Sequence, residues 1–296
     1  MQDPSPNLAS LAVLIGAVLW GVYWIPVRYL ESQGIDAATT VSVMNAPAAF
    51  VTCLWIAGTW QSQKPFMQRF FWIGLWAGLA LALYGVSIAH TSVIRATLLF
   101  YLMPIWATLI GVVWLRETVD WRRGLAIIFG LSGLGLLMTI SPDEGRLLGD
   151  VLAFLSGWFW AIATALIKRL GRAPVGGMMA MQFICVAVVA LVLGAALGDS
   201  TPLETLTDTP AIWVAVAASL FGVLPAVALM FWASQFLFPG RVGILLMAEV
   251  VVAVVTASLF LPAERLQGIQ WLAVVLVMAA ALVEFVPTRR KQGQAV

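Results

Sequence analysis

Charge is what this chain has least of. Only 10% of its 296 residues are Asp, Glu, Lys or Arg, while 62% are hydrophobic. A soluble domain carries about 25% charged residues because its surface must face water. This composition excludes a soluble fold and makes lipid the solvent. Histidine occurs once, as His90, and cysteine twice, as Cys53 and Cys185. Metal-spaced His/Cys ligand sets are therefore excluded. Each cysteine lies in an apolar run and counts as a small hydrophobe, not half of a disulfide. The net charge is +2, and no Lys/Arg run precedes the last few residues, which excludes a nucleic-acid partner. With no phosphate loop and no paired mid-membrane acids, no metal, cofactor or enzyme activity is expected. The first ten residues hold no Lys or Arg, and no small-residue cleavage site follows the first apolar run. That run is expected to be a retained helix.

What is there comes in long apolar runs. A helix needs about 20 apolar residues to cross the hydrocarbon. Runs between Pro, Gly and charge punctuation predict spans at 8–30, 37–59, 70–90, 93–115, 122–140, 148–170, 175–197, 211–233, 241–262 and 268–287. Turn chemistry separates them at Ser141-Pro142-Asp143-Glu144-Gly145, Gly171-Arg172-Ala173-Pro174 and Phe238-Pro239-Gly240. With both termini cytoplasmic, twelve of the sixteen basic residues fall on the inner connectors and tail. Only Arg28, Arg95, Arg146 and Arg265 fall outside. Most acids lean the other way, among them Asp36, Asp150, Asp208 and Glu264.

Shifting the chain on itself by 140 residues places Trp20 on Trp160, Arg28 on Lys168 and Leu30 on Leu170. A shift of 147 places Leu115-Arg116-Glu117-Thr118 on Pro262-Ala263-Glu264-Arg265. These matches keep one order and predict a five-helix unit used twice, over 1–142 and 143–296. Five is odd, so the second copy enters from the opposite side. The expected fold is an all-α integral membrane protein of ten transmembrane helices in two inverted five-helix repeats. Inverted repeats of this kind produce inward- and outward-facing states around a midplane site.

Two segments carry a family resemblance. Leu102-Met103-Pro104-Ile105-Trp106, running on to Leu115-Arg116-Glu117, resembles the fourth-helix signature of the drug/metabolite transporter superfamily, EamA branch. Met247-Ala248-Glu249-Val250, running on to Leu261-Pro262-Ala263-Glu264, resembles its second copy, with Val250 where the family usually has Pro. Within that branch the Trp-, Tyr- and Met-rich interior is similar to the aromatic amino-acid exporters. The resemblance implies a multi-pass carrier of a bacterial inner membrane, acting as a monomer. It implies amino-acid export by alternating access, with a cavity formed by spans 1, 3, 4, 6, 8 and 9. Multidrug or other metabolite export is the alternative.

The residues themselves point to a midplane site. Glu249 lies deep in the ninth span, where a carboxylate costs roughly 2.5–3.5 kcal/mol or more. It is a candidate cavity group; the plain reading is a Glu satisfied by a backbone carbonyl. Trp20, Tyr23, Trp24, Tyr84, Tyr101 and Trp160 are candidate cavity walls, joined by Met247, because polar-tipped rings suit an amphipathic solute. Core packing is the competing reading for each. Trp60, Trp72, Trp121 and Trp271 are expected at the interfaces. Pro104 and Pro225 are hinge candidates, or static kinks. Asn45 is expected to bond across helices, Glu284 to reach headgroups, and Glu117 and Glu264 each to cap the following helix. Gly130-Leu131-Ser132-Gly133 also spells Gly-X-Ser-Gly, but the lone His90 at an outer helix end leaves an intramembrane serine protease a remote reading. The glycines are expected to permit close packing.

The orientation is testable by single-cysteine labelling of intact cells with an impermeant reagent. A cysteine in 198–210 should be labelled from outside, and one in 116–122 only after the inner face is exposed. The reverse pattern would invert the topology.

Overall fold

The computed structural model describes residues 4–91, 93–138, 147–198, 201, 210–260 and 268–285. The Ser141–Gly145 connector, Arg146, most of the 198–210 connector, Glu264, Arg265 and the basic tail lie outside the described residues. The elements are all helical: α1 (Pro6–Gly21), α2 (Trp24–Ser32), α3 (Ala37–Gly58), α4 (Met67–His90), α5 (Val93–Phe100), α6 (Met103–Leu115), α7 (Trp121–Met138), α8 (Leu147–Leu170), α9 (Val175–Leu197), α10 (Ala211–Ala218), α11 (Leu224–Ser234), α12 (Pro239–Leu246), α13 (Ala248–Phe260) and α14 (Gly268–Phe285). Among the described residues eight helical stretches are long and apolar enough to cross a membrane, and α6 is a shorter apolar helix. Large apolar side chains cover the outside of the bundle, with Val113, Phe221 and Leu259 each more than 70% exposed. A surface of that kind has lipid as its solvent, and the chain is a multi-pass membrane protein.

Several expected spans are interrupted. The first breaks at Val22–Tyr23 and resumes with Pro26 in the opening turn of α2. The fourth breaks at Tyr101–Leu102, leaving Pro104 in the first turn of α6. The ninth breaks at Met247. The eighth is continuous but widens into a π-turn at Ser219–Val223, just before Pro225. Proline cannot donate a backbone N–H, so in a helix it sits most easily in the first turn. Pro104 takes that position, whereas Pro225 lies inside a continuous span directly after the π-turn.

Glycines set the packing. Gly74 and Gly78 of α4 lie directly against Met181, Gln182 and Cys185 of α9, so any side chain there would collide. On α7, Gly133 meets Val277 and the Ala273 carbonyl of α14, while Gly130 seats the Met247 thioether. The expectation of close packing there is met. Helix α8 packs along α4, α9 against α3 and α4, α1 against α11 and α13, and α6 against α12 and α8.

Three polar expectations need correction. The Asn45 amide does not bond across helices; its Nδ2 donates to the Val41 carbonyl of its own helix, 2.8 Å away. Glu284 does not reach headgroups; it is buried and accepts from Arg123 Nη2 at 2.9 Å. Glu117 does not cap the next helix, since the Asp120 carboxylate accepts the Arg123 backbone N–H at 3.1 Å. Glu117 instead turns inward and also pairs with Arg123. For Asn45 the nearest acceptor is the carbonyl one turn back in its own helix; for the two acids α7 supplies Arg123, a partner closer than water or headgroup that one sequence read alone does not reveal.

At the other end of the bundle, Asp36 caps α3 by accepting from the Thr39 backbone N–H at 2.9 Å and the Thr39 hydroxyl at 2.7 Å. Thr201 also donates to it, and the Thr201 hydroxyl accepts the Asp36 N–H at 2.9 Å. Partial burial raises the Asp36 carboxyl, but the bonds from Thr201 and Thr39 outweigh it and hold it below the usual carboxylate range. Asp36→Ala should cost about 1 kcal/mol by removing the N-cap. It would be read as a lower melting temperature of the detergent-solubilised protein, and an unchanged value would show that the cap contributes nothing.

Candidate functional site

The interrupted helices meet at the centre of the bundle. Gly21, last residue of α1, touches the backbone of α13: a Cβ there would lie 2.6 Å from Val252 Cβ and 2.9 Å from the Glu249 carbonyl oxygen. The Tyr101 hydroxyl, at the break between α5 and α6, donates to the Leu246 carbonyl at the end of α12, 3.3 Å away. That carbonyl lies where α12 stops, so a side chain supplies the donor that a continuous helix would have provided. The Glu249 carboxyl lies close to the same hydroxyl.

Around this junction lies a small cavity lined by Trp20, Leu81, Phe100, Trp160, Val227, Met230, Leu246 and Glu249. Each of α1, α4, α5, α8, α11, α12 and α13 contributes one or two side chains. Its volume is about 10 Å³, room for roughly one water, whereas a pocket holding an organic ligand needs about 300 Å³ or more. A larger open hollow of about 420 Å³ at Ala57–Ser62 has no ionisable side chain and lies apart from the centre.

The candidate residues divide. Trp20, Trp160 and Glu249 line the cavity. Trp20 stacks on Tyr23 with ring centres 5.0 Å apart and planes nearly parallel, so Tyr23 backs the wall. Tyr84 lies one layer out, bonded to Thr97 at 3.0 Å and packed on Phe100 at 4.9 Å. Tyr101 is fully buried at the junction. Trp24 points elsewhere; its indole N–H donates to Thr256 of α13 at 3.0 Å. Met247 is buried against Gly130 rather than in the lining. Trp160 is 4% exposed, and its indole N–H has no hydrogen-bond partner among the described residues. Phe100, Val227, Met230, Leu81 and Leu246 were not singled out by sequence, since nothing distinguishes them from other apolar residues until the helices are assembled. His90, half-buried at the end of α4, has Nδ1 3.1 Å from the Val86 carbonyl oxygen of its own helix, and Ser132 is exposed on α7.

The arrangement offers aromatic and thioether walls, one carboxyl, and one free N–H donor. It holds no group that would act as a nucleophile with an adjacent base.

A bundle of apolar, interrupted helices closed around such a centre defines a multi-pass membrane transporter. Residues 7–139 and 147–285 each match the EamA-like transporter family, and the chain belongs to that family of the drug/metabolite transporter superfamily. Its members are transporters, not enzymes. Among curated proteins, the S-adenosylmethionine uptake transporter of Rickettsia bellii is 26% identical over 136 residues, 45% of this chain and 44% of that protein. An uncharacterized transporter of Archaeoglobus fulgidus is 27% identical over 158 residues, 53% of this chain and 55% of that protein. The chain thus spans about half the length of the curated relatives it matches. A solved crystal structure matches with a TM-score of 0.72 at 16% identity, covering 93% of this chain and 96% of that one, a likeness of fold.

Substituting Tyr101→Phe removes the donor to Leu246 and should destabilise the protein by about 1 kcal/mol. Thermal unfolding in detergent measures it. A melting temperature equal to the parent's would mean that the bond between the two broken helices is not held.

Proposed function

We propose that the chain carries neutral amino acids outward across a bacterial inner membrane by alternating access, favouring aromatic ones and methionine. The observation that carries this reading is the wall of the central cavity. Trp20, Phe100, Trp160 and Met230 would contact an apolar or aromatic side chain. Glu249 would hold an ammonium, and the unpartnered Trp160 N–H would meet a carboxylate. A multiply charged solute would find no cation in that lining.

The same reading takes the chain as ten transmembrane helices in two inverted repeats, 1–142 and 143–296, with both termini cytoplasmic. The packing supports it. Exchanging the first five spans for the last five leaves the helix pairing unchanged: α1 on α11 becomes α8 on α4, and α1 on α13 becomes α8 on α6. The near-absence of room in the cavity supports a closed stage of a cycle that must open to load. The oligomeric state consistent with a complete cavity in one chain is the monomer.

A second reading has a specific basis. S-adenosylmethionine, the substrate in the name of the Rickettsia relatives, joins an amino-acid end to a sulfonium cation and an aromatic base. Aromatic walls and one carboxyl suit such a cation through cation–π contact.

Counterflow in reconstituted vesicles separates these readings and a multidrug carrier. Labelled phenylalanine or methionine should accumulate against preloaded amino acid, and Glu249→Gln should lower that flux by about tenfold, the loss of one strong polar contact. Exchange of S-adenosylmethionine alone would establish the second reading, and exchange of lipophilic cations alone would refute both. An imposed pH gradient in the same vesicles decides whether protons drive the flux.

A further inference from the structure

The seam between α6 and α12 runs from the cavity to the end of the bundle that carries Arg123. Along it the two backbones are in contact. A Cβ on Gly243 would lie 3.1 Å from Pro104 Cα, and one on Gly240 would lie 2.6 Å from Thr108 Oγ1 and 3.3 Å from Arg123 Nη1. Bare glycines on α12 let the seam close this tightly. The Arg123 guanidinium sits directly over the outer of these two contacts.

Arg123 belongs to α7, yet it pairs with two other segments and lies against Gly240 of a third, α12. Its Nη1 donates to Glu117 Oε1, beyond the end of α6, and its Nη2 to Glu284 Oε1 of α14 at 2.9 Å. Glu117 is 5% exposed. It is brought there by an unusual backbone turn: Arg116 has φ 54°, a left-handed conformation that costs a non-glycine residue about 1–2 kcal/mol. The Glu117 N–H returns to the Gly111 carbonyl at 2.9 Å, and its carboxyl lies over bare Gly111. Beside this cluster Arg241, near the start of α12, donates to the Ser10 hydroxyl of α1 and to the Phe285 carbonyl, both at 3.1 Å.

We propose that Arg123, with Glu117 and Glu284, is a latch that holds the α6–α12 seam shut and so sets how often the cavity opens toward that end. This rests on the alternating-access reading above. The chemistry favours a latch over a fixed brace. A brace would be served as well by packed apolar side chains, because desolvating two carboxylates and a guanidinium offsets much of their attraction. A seam that must part and re-form gains from charges, since water takes over their solvation when it opens, whereas parted apolar surfaces would be left wet at full cost. Among the described residues the left-handed Arg116 is the one non-glycine with positive φ, and the strain it accepts delivers a carboxylate to that point. Arg123 acts here as a positioning residue and touches no solute.

The experiment is thiol accessibility in reconstituted vesicles of the full chain, with Cys53→Ser and Cys185→Ser and a reporter Leu81→Cys in the cavity wall. An impermeant thiol reagent is applied from one side at a time. Arg123→Gln should raise labelling from the Arg123 side by about tenfold and lower it from the other side, a shift between two states rather than a general loosening. Glu117→Gln, a milder change, should do the same to a smaller extent, and Arg123→Lys should restore part of the parent behaviour. The latch is refuted if folded Glu117→Gln and Arg123→Gln, or folded Glu117→Gln alone where Arg123→Gln does not assemble, label like the parent from both sides. It is refuted equally if labelling rises on both sides together. If labelling shifts as expected while the parent exchanges no amino acid, the latch stands and the substrate assignment fails.

Discussion

Backbone hydrogen bonding in a medium without water governs this molecule. A helix that stops inside the hydrocarbon leaves carbonyl and amide groups that only the protein can satisfy. Here three helices stop near the same point, at Val22–Tyr23, Tyr101–Leu102 and Met247, and each leans on a neighbour for repair. Tyr101 supplies a hydroxyl to Leu246, and Gly21 lets one backbone lie against another. The eighth span shows a related device: Ser219 of its π-turn accepts the Ala48 N–H at 3.1 Å, next to Pro47 inside α3. Interruptions clustered in this way put irregular backbone at the core of the fold, which is where a membrane protein can hold solute-binding groups.

The two ends of the bundle are fastened by different chemistry. At the Asp36 end, the contacts among the described residues include hydroxyls closing onto carboxylates: Thr201 and Thr39 on Asp36, and Thr91 on Asp150 at 2.9 Å. At the Arg123 end, the contacts are charged or charge-assisted, with Lys168 donating to the Phe236 carbonyl at 2.7 Å beside the Arg123 and Arg241 contacts. Burial raises the Glu117 carboxyl while Arg123 draws it partly back down. Hydroxyl and carbonyl contacts are modest in either direction, whereas buried charges respond strongly to a lost partner.

How much of this was legible in the sequence follows from what each feature depends on. Eight of the expected span positions were legible because hydrophobic length is a local quantity, and Gly130 and Gly133 were legible as packing residues because glycine in an apolar helix has few other uses. The unusual cost of Glu249 in mid-span was visible for the same reason. The breaks at Tyr101 and Met247 were not, since Leu, Tyr and Met all continue a helix readily and it is the opposing helix that makes stopping tolerable. Asn45 was read as reaching another helix, Glu117 as capping the next one and Glu284 as reaching headgroups, and their partners are instead residues from four to more than a hundred and sixty positions away. Trp24 and Met247 share their residue types with cavity walls but sit on other faces of their helices, and a face cannot be assigned past a break whose existence is unknown.

A cavity with room for roughly one water also has a consequence for affinity. Every solute that enters must do so through a conformation other than this one, so its measured dissociation constant is the intrinsic value divided by the fraction of molecules open at that moment. Substitutions far from the lining that change this fraction would rescale the affinity for all substrates by one common factor. Substitutions in the lining would instead alter their ratios. Ranking several solutes against one another, rather than measuring one well, is what tells the two kinds of residue apart.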